Sequence, residues 1–484
     1  MGYFSRFRVV RGLKLFVAAL ILYGWVICPN NALEQSRAAA TSHTTIGGLV
    51  MSASDARALR GALEACDRGD AAAAELVLRV LAERYPKSYE AQEALGGIYA
   101  EAGDAGKALP YLERASRVAP RQALGHANLG AVYLKLNRAG EAVAELHRAA
   151  ALEPGNGSTQ SNLGQALMTT GKPAAAAKAF AAAVKGEPGN WDLRYNWALA
   201  LFEGGDAAGA AAALRAGPVA GRPDAVESLA GDVAEKLGQF KEAAEFYQWA
   251  AKMNPSDANL YALTVEFLRH WTWDQAIQIA NYGAQRYPAS THFKTATGIA
   301  LYGSNKYPEA VGAFSELLAK EPENAFYADL LGRSCSLVAE GASVDCAGLE
   351  AFAQRHPENA RAAMYAATAI LHRPVSGQDM AKVEGLLQQA VAADAKLAEA
   401  YYELGVLKQQ RSEWKESVGS LEQAIALRPS YPEAHYRLSR AYSHLGMRVE
   451  AQKQMALQQQ FAQEEKDHLN TRMQEVVTFL LKAN

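Results

Sequence analysis

Apolar residues recur along most of the chain at the spacing of amphipathic helices, and short polar breaks interrupt them at a nearly constant interval. Prolines mark these breaks, and a constant interval of about 34 residues separates the first four markers, Pro86, Pro120, Pro154 and Pro188. In steps of about 32 to 37 residues the series continues at Pro223, Pro255, Pro288, Pro322, Pro357, Asp394 and Pro429. This interval predicts a structural unit that is repeated from about residue 53 to residue 462.

Each repeat carries small residues where two helices have to approach closely. About nine residues after a marker stands a large apolar residue followed by a small one, as in Leu129-Gly130. A second small residue follows 12 positions later and a bulky residue four positions after that, as in Ala142 and Leu146. Because paired helices come close only where Gly or Ala removes side-chain bulk, this spacing predicts about 12 helical hairpins.

This set of residues resembles the tetratricopeptide repeat family, whose pattern of about 34 residues is matched most fully between Lys87 and Pro188. The resemblance implies an all-α fold, a right-handed α-solenoid in which each hairpin covers apolar surface of its neighbours. Residues 463–484 are expected to form a C-terminal capping helix, with a separate docking helix as the alternative. Their apolar residues at helical spacing are Val476, Val477, Leu480 and Leu481.

Residues 1–28 have the layout of a secretory signal, because basic residues precede an uncharged apolar stretch from Leu15 to Cys28. This stretch is shorter than the roughly 20 apolar residues of a membrane-spanning helix, so cleavage is favoured over retention as a membrane anchor. Residues 29–52 are expected to form a flexible leader. The protein is accordingly expected to be exported, periplasmic or secreted, or else anchored in the inner membrane through residues 15–28.

Composition narrows the classes of partner. With 49 basic and 51 acidic side chains the formal charge is −2, so the chain has no broad basic surface for nucleic acid. Export would leave three cysteines, Cys66, Cys335 and Cys346. Cys335 and Cys346 lie close together in the sequence across a predicted turn. This spacing is compatible with a disulfide between them and equally with two buried free thiols.

The sequence shows no catalytic or metal-binding motif. Gly164 to Lys172 lacks the spacing of a phosphate-binding loop, because six residues separate its two glycines where four are needed. The histidines of the central repeats have no zinc-helix spacing and are expected to be structural or exposed; they are His270, His292, His356 and His372. We therefore expect no enzymatic activity, no cofactor and no metal site.

One polar residue type does recur with the repeat. Asn128, Asn162 and Asn196 each stand eight residues after a marker, so they follow one another at the period of the repeat. They are two positions before the small close-packing residue, or about 200° around the helix, and should face the concave side of the solenoid. The arrangement is similar to the asparagine ladder in the helical repeats of O-GlcNAc transferases, where amides hold the main chain of an extended peptide. That resemblance implies peptide binding with loose sequence selectivity, since an amide both donates and accepts hydrogen bonds.

Two functions follow from these patterns. The first is a non-catalytic scaffold or adaptor that binds an extended protein segment in its concave groove, within a bacterial cell-envelope assembly. The alternative is a structural spacer tethered to the membrane by residues 15–28, whose terminal helix docks a partner. In both cases the partner is a protein or peptide, and its identity is open.

Overall fold

A computed structural model describes residues 43–46, 49–218, 221–339, 344–371 and 377–483. This part of the chain forms 24 helices and one two-stranded sheet. The helices fall into two compact units, one up to Leu237 and the other from Gly238.

The first unit begins with an antiparallel β-hairpin and continues as a stack of helices, each packed on the next. Its strands are β1 His43–Ile46 and β2 Leu49–Ser52. Its helices are α1 Ala53–Asp67, α2 Ala71–Arg84, α3 Tyr89–Glu101, α4 Ala105–Val118, α5 Ala123–Lys135, α6 Ala139–Leu152, α7 Gly157–Thr169, α8 Pro173–Gly186, α9 Trp191–Glu203, α10 Ala207–Arg215 and α11 Asp224–Lys236.

The second unit is a stack of the same kind. Its helices are α12 Phe240–Met253, α13 Asp257–Arg269, α14 Trp273–Arg286, α15 Thr291–Gly303, α16 Tyr307–Lys320, α17 Ala325–Cys335, α18 Ala347–Arg355, α19 Ala360–Leu371, α20 Gly377–Ala393, α21 Ala398–Gln410, α22 Trp414–Leu427, α23 Pro432–His444 and α24 Arg448–Ala483. The predicted all-α solenoid of about 12 helical hairpins is confirmed.

Close contact at glycine fixes the two helices of a hairpin. A Cβ atom built on Gly130 of α5 would lie 2.5 Å from Cγ of Leu146 on α6, and one on Gly96 of α3 would lie 2.6 Å from Cγ of Leu112 on α4. These distances are shorter than side-chain contacts allow, so the bulky residue occupies the volume that glycine leaves open. The predicted pairing of small and bulky residues therefore describes the actual packing.

Turns between paired helices place one residue in the left-handed region. Gly103 has a φ of 81° and Gly205 a φ of 88°, values that glycine adopts without steric cost. The aspartate that follows each of them caps the next helix. In the first case the Asp104 carboxylate accepts a hydrogen bond from the Lys107 backbone N–H at 3.0 Å. Glycine and aspartate together thus end one helix and begin the next.

The marker prolines follow the second helix of a hairpin, and a polar side chain six residues later bonds to the proline carbonyl. Its nitrogen lies 2.8 to 3.2 Å from that oxygen in four repeats, in the pairs His126–Pro120, Gln160–Pro154, Arg194–Pro188 and His435–Pro429. A carbonyl just past a helix terminus needs such a donor, since the helix itself supplies none. The contact joins successive hairpins.

The described part of the leader differs from the flexible segment predicted for residues 29–52. His43–Ile46 and Leu49–Ser52 pair as antiparallel strands, and Met51 is 1% exposed in the first hydrophobic core. In the sequence, Gly-Gly follows a run rich in β-branched residues and precedes a short apolar run, which is a hairpin signal that outweighs the missing helical period. Ser52 then caps α1, since its side-chain oxygen accepts from the Asp55 N–H at 3.1 Å.

The C-terminus also differs in detail, because the predicted capping helix, residues 463–484, is not a separate element. It continues the second helix of the last hairpin as the 36-residue helix α24. The segment predicted as signal or anchor, residues 1–28, lies outside the described residues. Within the described residues, no helix combines the length and apolar character that crossing a bilayer requires. Cys335 and Cys346 form a disulfide, and Cys66 is buried and is not part of a disulfide.

Candidate functional site

The three asparagines lie on the first helices of successive hairpins in the first unit, with Asn128 on α5, Asn162 on α7 and Asn196 on α9. Each precedes by two residues the glycine or alanine that packs against the second helix, so its side chain points away from that helix. We call this side of α3, α5, α7 and α9 the first-helix face. The three asparagines thus lie at equivalent positions of successive first helices.

Asn128 is bound from within the protein. Its Nδ2 donates a hydrogen bond of 2.6 Å to Oε1 of Glu93, which belongs to the preceding first helix, α3. Asn128 is 6% exposed, so the bond is shielded from water. Because the amide nitrogen is bound to Glu93, the oxygen Oδ1 is the atom of this amide that is left to accept a further hydrogen bond.

Glu93 is fully buried between its neighbours and has one carboxylate oxygen, Oε2, without a hydrogen-bond partner. Burial takes the carboxylate out of water and raises the pKa of Glu93 to about 7, while the bond from Asn128 opposes this shift as the smaller influence. A buried and half-satisfied carboxylate destabilises the fold when it is ionised.

Tyr89 occupies the same side of α3, one turn before Glu93. Its ring packs against α5, where a Cβ atom on Gly125 would lie 3.1 Å from the tyrosine Cε2. The hydroxyl is buried without a hydrogen-bond partner. Burial and, second, the charge of Glu93 raise the pKa of Tyr89 above its usual range. Tyr89 therefore stays neutral beside Glu93.

Asn162 and Asn196 differ from Asn128 in burial and in hydrogen bonding. Both side chains are half-buried. Within the part of the chain that the structure describes, neither amide takes part in an internal hydrogen bond. Each can therefore offer both its N–H groups and its oxygen to an external main chain. The three predicted residues occupy equivalent positions, but only the Asn128 amide is hydrogen-bonded to Glu93.

A cavity of about 600 Å³ opens on another side of α5, and His126 lines it. The His126 nitrogens lie 2.6 Å from a Glu145 carboxylate oxygen and 3.2 Å from the Pro120 carbonyl. His126 and Asn128 are two positions apart on the helix, so this cavity and the asparagines face different directions. The polar groups of this side hold α4, α5 and α6 together.

The second unit does not continue the asparagine pattern. Equivalent positions there carry Ala262, Ala296, Leu330, Glu403 and Arg437. Burial raises the pKa of Glu403 to about 7, against the smaller opposing influence of Arg437. The neutral amide chemistry is accordingly a property of the first unit.

Three of the four histidines singled out by the sequence lie in the described residues, and His270 lies 3.5 Å from a carboxylate oxygen of Glu266, one turn earlier on α13. His292 lies 3.1 Å from an Asp257 carboxylate oxygen, and burial lowers its pKa. His356 lies 2.7 Å from a Glu323 carboxylate oxygen. The His292 contact joins neighbouring repeats, and the His356 contact joins the two ends of the α17–α18 hairpin. His372 lies outside the described residues.

The comparisons with known proteins agree with this architecture. A tetratricopeptide repeat profile matches residues 59–115 and 161–225, and a second tetratricopeptide repeat profile matches residues 228–257. The chain therefore contains tetratricopeptide repeats. No curated protein sequence is similar to it.

Several solved structures match this chain over part or most of its length. One is Naa15/Naa10 bound to HypK-THB, with 13% identity, a TM-score of 0.38, and coverage of 84% of this chain and 68% of that one. Another is YrrB, a TPR protein with an unusual peptide-binding site, with 18% identity, a TM-score of 0.36, and coverage of 39% and 97%. The third is pilF of Pseudomonas aeruginosa, with 20% identity, a TM-score of 0.35, and coverage of 42% and 94%.

Proposed function

We propose that the first unit is a non-catalytic scaffold surface that binds an extended segment of a partner protein along its first-helix face. Asn128, Asn162 and Asn196 are the residues that hold the main chain of this segment. Tetratricopeptide repeats bind protein or peptide partners, which supports the general class of function.

The observation that carries the proposal is the state of Asn162 and Asn196. Two amides without internal hydrogen bonds stand one repeat apart on neighbouring first helices. An extended chain advances about 3.3 Å per residue and offers an N–H and a C=O at every residue, so it can reach successive amides with its backbone alone. Binding through the backbone tolerates many side-chain sequences.

The same proposal places the protein in a bacterial cell envelope. Its support is the basic and then apolar character of residues 1–28, which is typical of an export signal. The size of the exported product on a denaturing gel distinguishes the two forms. A product shortened by about the length of a signal peptide supports cleavage, whereas a full-length product in the membrane fraction supports the tethered alternative.

The test is affinity capture from an envelope fraction with the full chain and with an Asn162→Ala/Asn196→Ala double variant. Each amide supplies about 1 kcal/mol through its hydrogen bonds, so the double variant should bind the captured partner about thirtyfold more weakly. Asn128 is left intact in this variant because its replacement would also remove the hydrogen bond to Glu93.

A Lys178→Ala/Lys185→Ala variant is the matched control, because both lysines are exposed on α8, the second helix of the Asn162 hairpin. It removes two polar side chains from the same repeat without touching the first-helix face. Partner binding that is equally strong in the full chain, the asparagine variant and the lysine variant would overturn the proposal.

A further inference from the structure

Asn128 is chemically distinct from the other two asparagines, because its amide nitrogen is already bound to a buried carboxylate. The acceptor, Oε1 of Glu93, is 2.6 Å from Nδ2, and Glu93 is 0% exposed. An ionised carboxylate accepts hydrogen bonds and donates none. A flip of the amide that exchanges Nδ2 and Oδ1 would bring Oδ1 against this carboxylate, oxygen to oxygen, and is therefore disfavoured.

We infer that Glu93 is a positioning residue that fixes the Asn128 amide with its oxygen toward the partner, so that this position accepts hydrogen bonds only. The partner must then present a backbone N–H to Asn128. Proline, or any N-substituted residue, is excluded at that point of the bound segment. Asn162 and Asn196 impose no such restriction, because their amides can turn either way.

The surroundings of Glu93 support this role. Burial is the main influence that raises its pKa to about 7, so the carboxyl is ionised at pH 8. Tyr89 is the ionisable group beside it on α3, and Tyr89 is neutral at that pH. From α5 the contact is Asn128, which carries no charge. The orientation of Asn128 at pH 8 thus depends on one acceptor.

This inference rests on the proposed function, since it concerns the direction of hydrogen bonds to the same partner segment. Its first test needs no ligand. Side-chain amide NMR signals are recorded at pH 8 for the full chain and a Glu93→Leu variant, which keeps the size of the side chain but has no acceptor. One Asn128 amide proton should exchange about tenfold more slowly than those of Asn162 in the native chain, and this difference should vanish in the variant.

The second test uses a 12-residue peptide selected on the full chain from a random display library and N-methylated at one backbone nitrogen at a time. Methylation of the nitrogen that faces Asn128 should weaken binding about tenfold, which is the loss in affinity expected when one hydrogen bond near a charged group is removed. In the Glu93→Leu variant the same methylation should cost less than about threefold, because the amide can turn.

A double-mutant cycle separates positioning from a general effect on the fold. If Glu93 acts through Asn128, Glu93→Leu should leave peptide affinity unchanged in an Asn128→Ala background. Equal effects in both backgrounds would overturn the inference, as would fast exchange of both Asn128 amide protons in the native chain. A selection that yields no peptide dependent on Asn162 and Asn196 overturns the proposed function instead, and the exchange measurement still decides the orientation of Asn128.

Discussion

Replacing Glu93 by Gln should stabilise the protein at alkaline pH and have much less effect at acid pH. The ordinary pKa of a glutamate is 4.5, and burial raises that of Glu93 to about 7 in the folded chain. Because the folded state binds this proton more tightly, stability from Glu93 is present below pH 4.5 and is lost as the pH rises through 7. The difference between these two pKa values corresponds to a loss of about 3 kcal/mol in the free energy of unfolding, at about 1.4 kcal/mol per pH unit.

Glutamine has nearly the shape of glutamate and stays neutral, so the variant escapes this loss. Its free energy of unfolding should exceed that of the native chain by about 3 kcal/mol at pH 8 but by about 1 kcal/mol at pH 5. Urea unfolding followed by circular dichroism at both pH values measures this difference. Other titrating groups are shared by both proteins and cancel in the comparison.

Glu83→Gln is the control, because this glutamate is exposed on the neighbouring helix α2. It removes the same charge and should change stability by less than about 0.5 kcal/mol at either pH. A Glu93→Gln difference that is the same at pH 5 and pH 8 would show that burial does not hold the proton on Glu93. The physical description of this site would then be wrong.

Three further predictions concern packing, the disulfide and the site. Gly130→Ala should destabilise the first unit by about 1–3 kcal/mol through overpacking. Gly140 lies in open space on α6, so Gly140→Ala should be neutral or stabilising. Urea unfolding of the two variants measures the difference. Reduction of the Cys335–Cys346 disulfide should destabilise the second unit by about 2–3 kcal/mol, seen as a lower Tm that a double serine variant reproduces without reductant. Asn128→Ala should lower the free energy of unfolding at pH 8 by about 1–3 kcal/mol, unlike alanine at the other two asparagines, because it leaves a buried carboxylate without its hydrogen bond.

The hairpins could be predicted because the repeat fixes both ends of every helix. Close packing at Gly130 and termination at the marker prolines depend on single residue types at constant spacing, which a sequence shows directly. The β-hairpin at residues 43–52 is a single element outside the repeat. Its signal is Gly-Gly between a run rich in β-branched residues and a short apolar run. This signal is local and is easily outweighed by the loop-forming composition around it.

The site could be predicted only in part. The period placed Asn128, Asn162 and Asn196 on one face, but it said nothing of the residues between neighbouring first helices. Glu93 stands one position before the equivalent position of α3, which carries Ala94, and so it falls outside the period. The sequence does not distinguish it from Glu90 and Glu101 of the same helix, and only the packing of α3 against α5 shows that it binds Asn128.

The central claim is that Asn162 and Asn196 contact the main chain of a bound partner. The most direct measurement records the side-chain amide NMR signals of both residues while a captured or selected segment is added to the full chain. We expect both pairs of signals to shift and their protons to exchange more slowly as the segment saturates the protein. A segment that saturates the chain while both pairs of signals stay where they were would contradict the claim.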